Sequence, residues 1–176
     1  MSLTLITGGS GSGKSAWAEN LAVALCPGEK LYWATMPPGG PEGAARIARH
    51  RALRSGKGFR TLECPQLPPA ADLPAGGTVL LEDLSNLLAN HLFSPHPPQD
   101  PAAFLLEGLR PLAARCGHLL VVSNEVFSDG IPYDPETRAF LTHLGALHRA
   151  LAGQADLVVE VVCGLPLVLK GALPHV

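Results

Sequence analysis

Residues 8–15 read Gly8-Gly9-Ser10-Gly11-Ser12-Gly13-Lys14-Ser15 and directly follow the apolar run Leu3-Thr4-Leu5-Ile6-Thr7. This stretch fits the phosphate-binding pattern G-x-x-x-x-G-K-[ST] in the context that the pattern requires, after a strand and before a helix. Its glycines allow the backbone to wrap a polyphosphate with N–H groups pointing inward. A glycine- and serine-rich turn that ends in Lys-Ser by chance would not explain why position, spacing and flanks all agree. We therefore predict a nucleoside triphosphate site formed by Gly8, Gly9, Ser10, Gly11, Ser12, Gly13, Lys14 and Ser15.

The segment that follows the loop supports the same prediction. Residues Lys14–Leu25 have a helical pattern, and the N-terminal end of a helix favours anions. Lys14 would reach the β- and γ-phosphates, and the hydroxyl of Ser15 would bind Mg²⁺. The loop and the helix together predict phosphate chemistry.

Apolar runs alternate with helical patterns along the chain. We predict strands at Leu3–Thr7, Lys30–Ala34, Thr78–Leu81, Leu119–Ser123 and Leu157–Val162, and helices at Lys14–Leu25, Gly43–Arg54, Leu84–Phe93, Ala102–Arg115 and Pro135–Ala152. The strand runs show little alternation, as expected of strands that are covered on both faces. This order predicts an α/β, P-loop NTPase-like fold with a mostly parallel central sheet flanked by helices. Leu165–Leu169 could add an antiparallel edge strand at the C-terminus, since Pro166 argues against a central place.

Length and composition exclude several classes of protein. The 176 residues predict one domain, residues 1–176, with a sizeable core. A net charge of −2 does not favour nucleic-acid binding or a polybasic membrane tag. No apolar run approaches the length of a membrane span, and the N-terminus enters a strand without room for a signal peptide. The 4 cysteines are far apart in the sequence, so we expect reduced thiols and a cytoplasmic protein.

A histidine stands among arginines in the segment Glu42–Arg54. On a helix, Arg46, His50 and Arg54 would project from one face, and like charges at that spacing repel, so such a face suits an anion. The neighbouring guanidinium groups disfavour imidazolium. A neutral imidazole can attack phosphorus while arginines stabilise the phosphoryl oxygens. From periodicity alone, an ordinary solvated basic face explains the pattern at least as well.

Acidic residues end a second apolar run, Thr78-Val79-Leu80-Leu81-Glu82-Asp83, which has the Walker B arrangement. A carboxylate at the end of this strand can hold Mg²⁺, directly or through water, or accept hydrogen bonds from a ribose. Asn124-Glu125 follows another buried strand. Ligands of open parallel sheets lie outside the carboxyl ends of the strands. We therefore expect Gly8–Ser15, Glu82-Asp83 and Asn124-Glu125 to converge on one crevice.

Together these residues resemble the bifunctional adenosylcobinamide kinase / adenosylcobinamide-phosphate guanylyltransferase family of cobalamin biosynthesis. The family's T-G-G-x-x-S-G-K-S loop matches residues 7–15, and its Y-[IVW]-A-T strand matches residues 32–35. The most specific stretch, R-I-x-x-H-[RK]-x-x-R and then T-x-E-x-P, matches residues 46–54 and 61–65. The motifs L-L-E, V-[ST]-N-E-V and G-x-P-x-x-[IL]-K-G match residues 80–82, 122–126 and 164–171. The resemblance covers nearly the whole chain.

The resemblance implies two reactions. With Mg²⁺ as cofactor, ATP or GTP would phosphorylate the hydroxyl of the cobinamide aminopropanol arm. GTP would then guanylylate the histidine aligned with His50, with loss of pyrophosphate, and the cobinamide phosphate would take the GMP to give adenosyl-GDP-cobinamide. In this scheme His50 and Lys14 would be the catalytic residues, and Ser15 and Glu82 would bind the metal. The residues that would contact the nucleotide outside the loop are Arg46, Arg51, Arg54, Glu63 and Glu82. The resemblance also implies a homotrimer.

Two other functions stay open at this point. Another small-molecule P-loop kinase would use the arginines near His50 only to clamp phosphates, without a covalent intermediate. A nucleotide-sensing protein would bind without turnover, although the intact Lys14, Ser15 and Glu82 argue against it. The later helix also departs from the family pattern, since Thr142-His143 and His148-Arg149 stand where R-D and N-Q pairs are usual. These departures concern the corrinoid side and leave phosphate binding intact.

Overall fold

The computed structural model describes residues 2–25, 28–37, 56–128 and 130–174, and within them seven strands form one sheet. The strands are β1 (Ser2–Gly8), β2 (Lys30–Ala34), β3 (Phe59–Glu63), β4 (Thr78–Glu82), β5 (His118–Asn124), β6 (Leu157–Val162) and β7 (Leu165–Lys170). Their spatial order is β3-β2-β4-β5-β1-β6-β7. Every neighbouring pair is parallel except β6 and β7, which are antiparallel.

The α-helices of the described residues are α1 (Lys14–Leu25), α2 (Leu84–Leu92), α3 (Pro101–Arg115) and α4 (Pro135–Gln154), with a short 3₁₀ helix at Ala70–Asp72. Aspartates fix where three of the helices begin. Asp83, Asp100 and Asp134 each accept a hydrogen bond from the backbone N–H three residues further on. These bonds satisfy N–H groups that have no partner inside the helix. Prolines at the first position of α3 and α4 add a pre-set φ.

The sheet buries side chains on both of its faces. Successive residues of a strand point to opposite faces, so Leu5 packs in one apolar cluster and its neighbour Ile6 in another. The cluster around Leu5 includes leucines of α2, α3 and α4, whereas the cluster around Ile6 includes Ala18 and Leu21 of α1. This two-sided burial is why the strand sequences are almost continuously apolar.

The predicted α/β fold with a mostly parallel sheet is confirmed, and so is the antiparallel edge strand at the C-terminus. The predicted strands at Lys30–Ala34 and Leu157–Val162 have the observed bounds. The sequence analysis did not predict β3, whose only partner within the described ranges is β2, at the edge of the sheet. Its side chains are partly buried or exposed, and its sequence Phe59-Arg60-Thr61-Leu62-Glu63 lacks the apolar run that marks the other strands. The predicted helix Gly43–Arg54 lies outside the described residues.

The strand order determines which loops share the carboxyl edge of the sheet. β5 lies between β1 and β4, so the end of β1 and the end of β4 are about 10 Å apart at a strand spacing of about 4.8 Å. Side chains of opposite loops can span such a gap. The order therefore places the loop after β1 opposite the acidic residues after β4.

Candidate active site

The phosphate loop, residues 8–15, connects the end of β1 to the first turn of α1. Gly11 and Gly13 have φ values of 72° and 88°, which favour glycine. The N–H of Ser12 donates to the carbonyl of Gly9 at 3.2 Å and closes a tight turn. The ammonium group of Lys14 folds over the loop and donates to the same carbonyl at 3.1 Å. The loop is thus shaped as a cradle beneath a buried lysine.

The turn between β6 and β7 supports the phosphate loop from the side. The N–H of Gly164 donates to the carbonyl of Ser12 at 2.8 Å. A Cβ atom added to Gly13 would lie 3.1 Å from the Cα of Gly164. A Cβ added to Gly8 would lie 2.6 Å from the carbonyl oxygen of Val161, which no real structure tolerates without a shift. The sequence analysis placed Gly164 in a motif but did not predict that it supports the loop.

Ser15 and Glu82 meet across the crevice. The hydroxyl of Ser15 donates to Oε1 of Glu82 at 2.6 Å. The second carboxylate oxygen, Oε2, is buried and has no hydrogen-bond partner among the described residues. An unpaired buried carboxylate oxygen is costly. Glu82, the acidic residue predicted at the end of this strand, therefore faces the phosphate loop, and its Oε2 is available to bind a cation.

These groups fit a divalent cation bound together with a triphosphate. Hydroxyl and carboxylate oxygens are the ligands that Mg²⁺ prefers, and it is usually held by one or two carboxylates plus phosphate oxygens and water. Within the described ranges no group of three His, Cys, Asp or Glu side chains could hold a metal alone. Ser15 and Glu82 would thus supply the protein's share of the ligands, and the nucleotide would supply the rest.

Burial alters the protonation of the acidic residues. Desolvation raises the pKa of Glu82 to about 7, against the hydrogen bond from Ser15, which lowers it. Desolvation also raises the pKa of Asp83, which the hydrogen bond from the backbone N–H of Asn86 lowers. Asp83 accepts that bond at 2.7 Å and a second from the side chain of Asn124 at 3.2 Å. Asp83 therefore caps α2 and ties β4 to β5, while Glu82 faces the crevice.

The three segments expected to converge do lie together. Ser15 contacts Glu82, the Asn124 side chain contacts Asp83, and the N–H of Glu125 donates to the carbonyl of Gly8 at 2.9 Å. The carboxylate of Glu125 does not point into the crevice, because its Oε1 accepts hydrogen bonds from the N–H of Phe127 and the hydroxyl of Ser128. Asn124-Glu125 therefore shapes the crevice wall.

Thr35 and Asn90 hold the acidic residues in place, and the sequence analysis gave neither this role. The buried hydroxyl of Thr35 accepts a hydrogen bond from the N–H of Asp83 at 2.8 Å and donates to the carbonyl of the same residue at 2.9 Å. The amide of Asn90 donates to the carbonyls of Thr35 and Pro65, each at 2.8 Å. Thr35 belongs to the Y-[IVW]-A-T motif and follows an apolar strand directly, but neither signal indicated what it contacts.

The remaining predicted site residues are placed only in part. Glu63 ends β3 and is exposed. Both Glu63 and Glu82 are paired with Ala34 in the sheet, so they belong to one row across its carboxyl edge, two strands apart. His50, Arg46, Arg51 and Arg54 lie outside the described residues.

Residues 38–55 lie outside the described residues, and described residues on either side of them contact residues at or near the site. On one side, Thr35 is bound to Asp83. On the other, Lys57 forms an ion pair of 2.7 Å with Glu19 of α1, and the Glu19 side chain is only 8% exposed. Glu19 lies one helical turn after Ser15.

A glycine-rich loop between the first strand and helix, with a strand-end acid opposite, defines a P-loop NTPase-like α/β protein. Solved structures with this fold are similar to the chain. The flagellar accessory protein FlaH of Methanocaldococcus jannaschii aligns with a TM-score of 0.50 at 17% identity, over 97% of this chain and 78% of that one. The RadB recombinase aligns with a TM-score of 0.52 at 13% identity, over 90% and 73%. At these identities the likeness concerns the fold alone.

The family follows from sequence. Residues 4–169 match the CobU family, described as cobinamide kinase / cobinamide phosphate guanyltransferase. The bifunctional adenosylcobalamin biosynthesis protein CobP of Pseudomonas aeruginosa is 36% identical over 95% of this chain and 96% of its own length. The corresponding protein CobU of Salmonella typhimurium is 32% identical over 96% and 99%. The chain belongs to this family of transferases, as the sequence analysis predicted. No helix within the described part of the chain could span a membrane.

The raised pKa of Glu82 gives a pH-dependent prediction. Between pH 4.5 and 7 the folded protein retains a proton that the unfolded chain has released, so the contribution of Glu82 to stability falls as pH rises, by up to about 3 kcal/mol. Glu82→Gln removes this dependence. In denaturant titrations without nucleotide, the free energy of unfolding of the wild type minus that of the variant should fall from pH 4.5 to 7 and then level off.

His148 has the opposite effect in that experiment, since burial lowers its pKa to about 4. It is present in both proteins, so its contribution cancels in the difference. A difference that stays flat across this pH range would show that Glu82 is ionised in the unliganded protein.

Proposed function

We propose that this chain phosphorylates the hydroxyl of the adenosylcobinamide aminopropanol arm and then transfers GMP from GTP to the phosphate, giving adenosyl-GDP-cobinamide. The observation that carries the proposal is the contact of Ser15 with Glu82 opposite the phosphate loop, in a chain of the cobinamide kinase / cobinamide phosphate guanyltransferase family. The homotrimer and the cytoplasmic location that the sequence analysis expects stay predictions.

The phosphate loop performs the first reaction in this proposal. Its backbone N–H groups and the N-terminus of α1 hold the β- and γ-phosphates of ATP or GTP. Lys14 exchanges the carbonyl of Gly9 for phosphate oxygens, where its charge offsets the charge of the transferring group. Ser15 and Glu82 would hold Mg²⁺, which supplies charge neutralisation to the phosphates when bound. Glu82 would hold the cation in its ionised form, which burial disfavours without a cation.

His50 performs the second reaction. A nitrogen of its neutral imidazole forms a bond to the α-phosphorus of GTP while the bond to pyrophosphate breaks, and a phosphoramidate results. Arg46, Arg51 and Arg54 stabilise the phosphoryl oxygens and the leaving pyrophosphate. An oxygen of the cobinamide phosphate then attacks the same phosphorus and releases the imidazole. Glu63, at the same edge of the sheet as Glu82, contacts the nucleotide away from the phosphates.

Labelled GTP tests the covalent intermediate. After incubation with α-labelled GTP and Mg²⁺, the denatured protein should retain label that acid removes and base does not, because a phosphoramidate has that stability. γ-Labelled GTP serves as the matched control and should leave no label, since the γ-phosphate departs in pyrophosphate. Retained γ-label would indicate a phosphorylated protein, and no label from either compound would exclude the histidine intermediate.

A further inference from the structure

A chain of polar groups runs from α4 to the acidic side of the crevice. The Nε2 of His148 lies 2.7 Å from the hydroxyl of Ser123, which is fully buried on β5. That hydroxyl lies 3.2 Å from the hydroxyl of Ser85 at the start of α2. The Ser85 hydroxyl accepts a hydrogen bond from the N–H of Asn124 at 3.1 Å, and the Asn124 side chain donates to Asp83. We call His148, Ser123, Ser85 and Asn124 the relay.

Counting hydrogens gives the relay a direction. Each serine hydroxyl has one hydrogen to donate, and Ser85 already accepts from Asn124. Each hydrogen finds an acceptor if Ser85 donates to Ser123 and Ser123 donates to the Nε2 of His148. In the reverse order Ser85 would receive two hydrogen bonds and still need an acceptor for its own hydrogen. The favourable order requires an unprotonated Nε2, hence a neutral ring with its hydrogen on Nδ1.

The surroundings of His148 favour that neutral ring. Burial lowers the pKa of His148 to about 4, and Glu125 is the charged group that acts in the opposite direction. The ring of Phe127 meets the imidazole edge to face, with centroids 5.6 Å apart. An imidazolium would lose solvation in this setting.

We propose that His148 is a positioning residue for phosphoryl transfer: its Nε2 accepts the last hydrogen bond of the relay and thereby orients Asn124 and Asp83 beside Glu82. The inference rests on the proposed function, because it takes Glu82 as the acid of the phosphoryl-transfer site. Asp83 is the peptide neighbour of Glu82 and caps α2. A side chain of Asp83 that is held from both α2 and β5 keeps the end of β4 in a single orientation toward Ser15.

Four variants test this role. His148→Leu removes the acceptor at similar volume, His148→Gln can restore one, and Ser123→Ala interrupts the relay at its centre. His148→Leu and Ser123→Ala should each lower the kcat of cobinamide phosphorylation about five- to tenfold, which is the effect of one lost hydrogen bond. The Kd of a non-hydrolysable triphosphate measured without Mg²⁺ should stay within about twofold, since the phosphate loop is unchanged. The double variant should be no slower than either single variant.

The conservative variant His148→Gln distinguishes a positioning role of His148 from a role in packing alone. His148→Gln should recover most of the kcat even if its melting temperature stays low. If His148→Leu melts at a lower temperature but keeps the wild-type kcat, or if His148→Gln is as slow as His148→Leu, the positioning role is overturned.

Nitrogen-15 NMR of the imidazole tests the direction of the hydrogen bonds in the relay without any variant. The expected spectrum has the Nε2 of His148 unprotonated from pH 6 to 8, and a protonated Nε2 would overturn the direction of the relay. A wild-type protein that does not phosphorylate cobinamide would contradict the proposed function, while the nitrogen spectrum would still test the relay.

Discussion

Lys14→Ala is expected to weaken triphosphate binding about 10- to 100-fold, because one charge-assisted hydrogen bond contributes about 1.5–3 kcal/mol. The kcat of phosphorylation should fall further, on the order of 10²–10³-fold, since the lysine stabilises charge that is transferred in the reaction. The buried ammonium group already lies at the loop, donating to Gly9. Isothermal titration and steady-state kinetics would measure the two effects. GMP transfer should also fall, because the same loop holds the triphosphate.

Lys170→Ala is the matched control for this experiment. Lys170 donates to the carbonyls of Ala152 and Gly153 at the end of α4 and is exposed. Its replacement removes one lysine and leaves the crevice intact, so nucleotide affinity and turnover should match the wild type. If Lys14→Ala bound and turned over triphosphate as the wild type does, the phosphate loop would have no part in the reaction.

His50→Ala is expected to abolish GMP transfer, by about 10³-fold or more, because loss of a covalent nucleophile removes the reaction path. Phosphorylation of cobinamide and binding of triphosphate should persist, since the phosphate loop, Ser15 and Glu82 are unchanged. The measurements are the retained α-label on the protein, the rate of GDP-cobinamide formation and the rate of cobinamide phosphorylation. Only the first two should be lost.

His96→Ala is a suitable control, since His96 is exposed in the loop between α2 and α3. It should leave all three measurements unchanged. Unchanged GMP transfer in His50→Ala would refute the covalent mechanism. Equal loss of phosphorylation and GMP transfer in a folded His50→Ala protein would assign the histidine to nucleotide binding instead.

The sequence predicted the strands that form apolar runs and the residues whose own side chains suit phosphate or metal binding. The apolar run of Leu119–Val122 marked β5, and the acid after Leu81 marked the edge that faces the phosphate loop. β3 was missed because it has no apolar run: Arg60, Thr61 and Glu63 interrupt it, whereas the even more exposed edge strand β7 is apolar and was predicted. A strand is recognised in the sequence by its run of apolar residues, which β5 has and β3 lacks.

The topology predicted that the segments of the crevice converge, but individual side-chain contacts around it were beyond such reasoning. Lys57 and Glu19 are 38 residues apart, and each alone looks like an ordinary surface charge. Ser123 and His148 are 25 residues apart, and nothing in either segment indicates their contact. The first pair depends on where the residues before β3 lie beside α1, and the second on how β5 lies against α4. Single-sequence patterns do not encode that packing, so the supporting residues of the crevice appear only in three dimensions.

The glycines of the phosphate loop answer to two different constraints. A Cβ at Gly8 would lie 2.5 Å from the hydroxyl oxygen of Ser12 and 2.6 Å from the carbonyl oxygen of Val161, and one at Gly13 would lie 3.1 Å from the Cα of Gly164. Gly11 and Gly13 also have positive φ values, which disfavour any other residue. A methyl group at Gly9, in contrast, would meet no atom of the described residues within 4 Å. The glycines of one consensus motif therefore serve two purposes: some are required by the packing and backbone of the protein, and others leave space for the bound phosphate. Loss of activity on enlarging residue 8 would therefore report a displaced loop or hairpin, and among Gly8, Gly9, Gly11 and Gly13 only Gly9 reports on the phosphate itself.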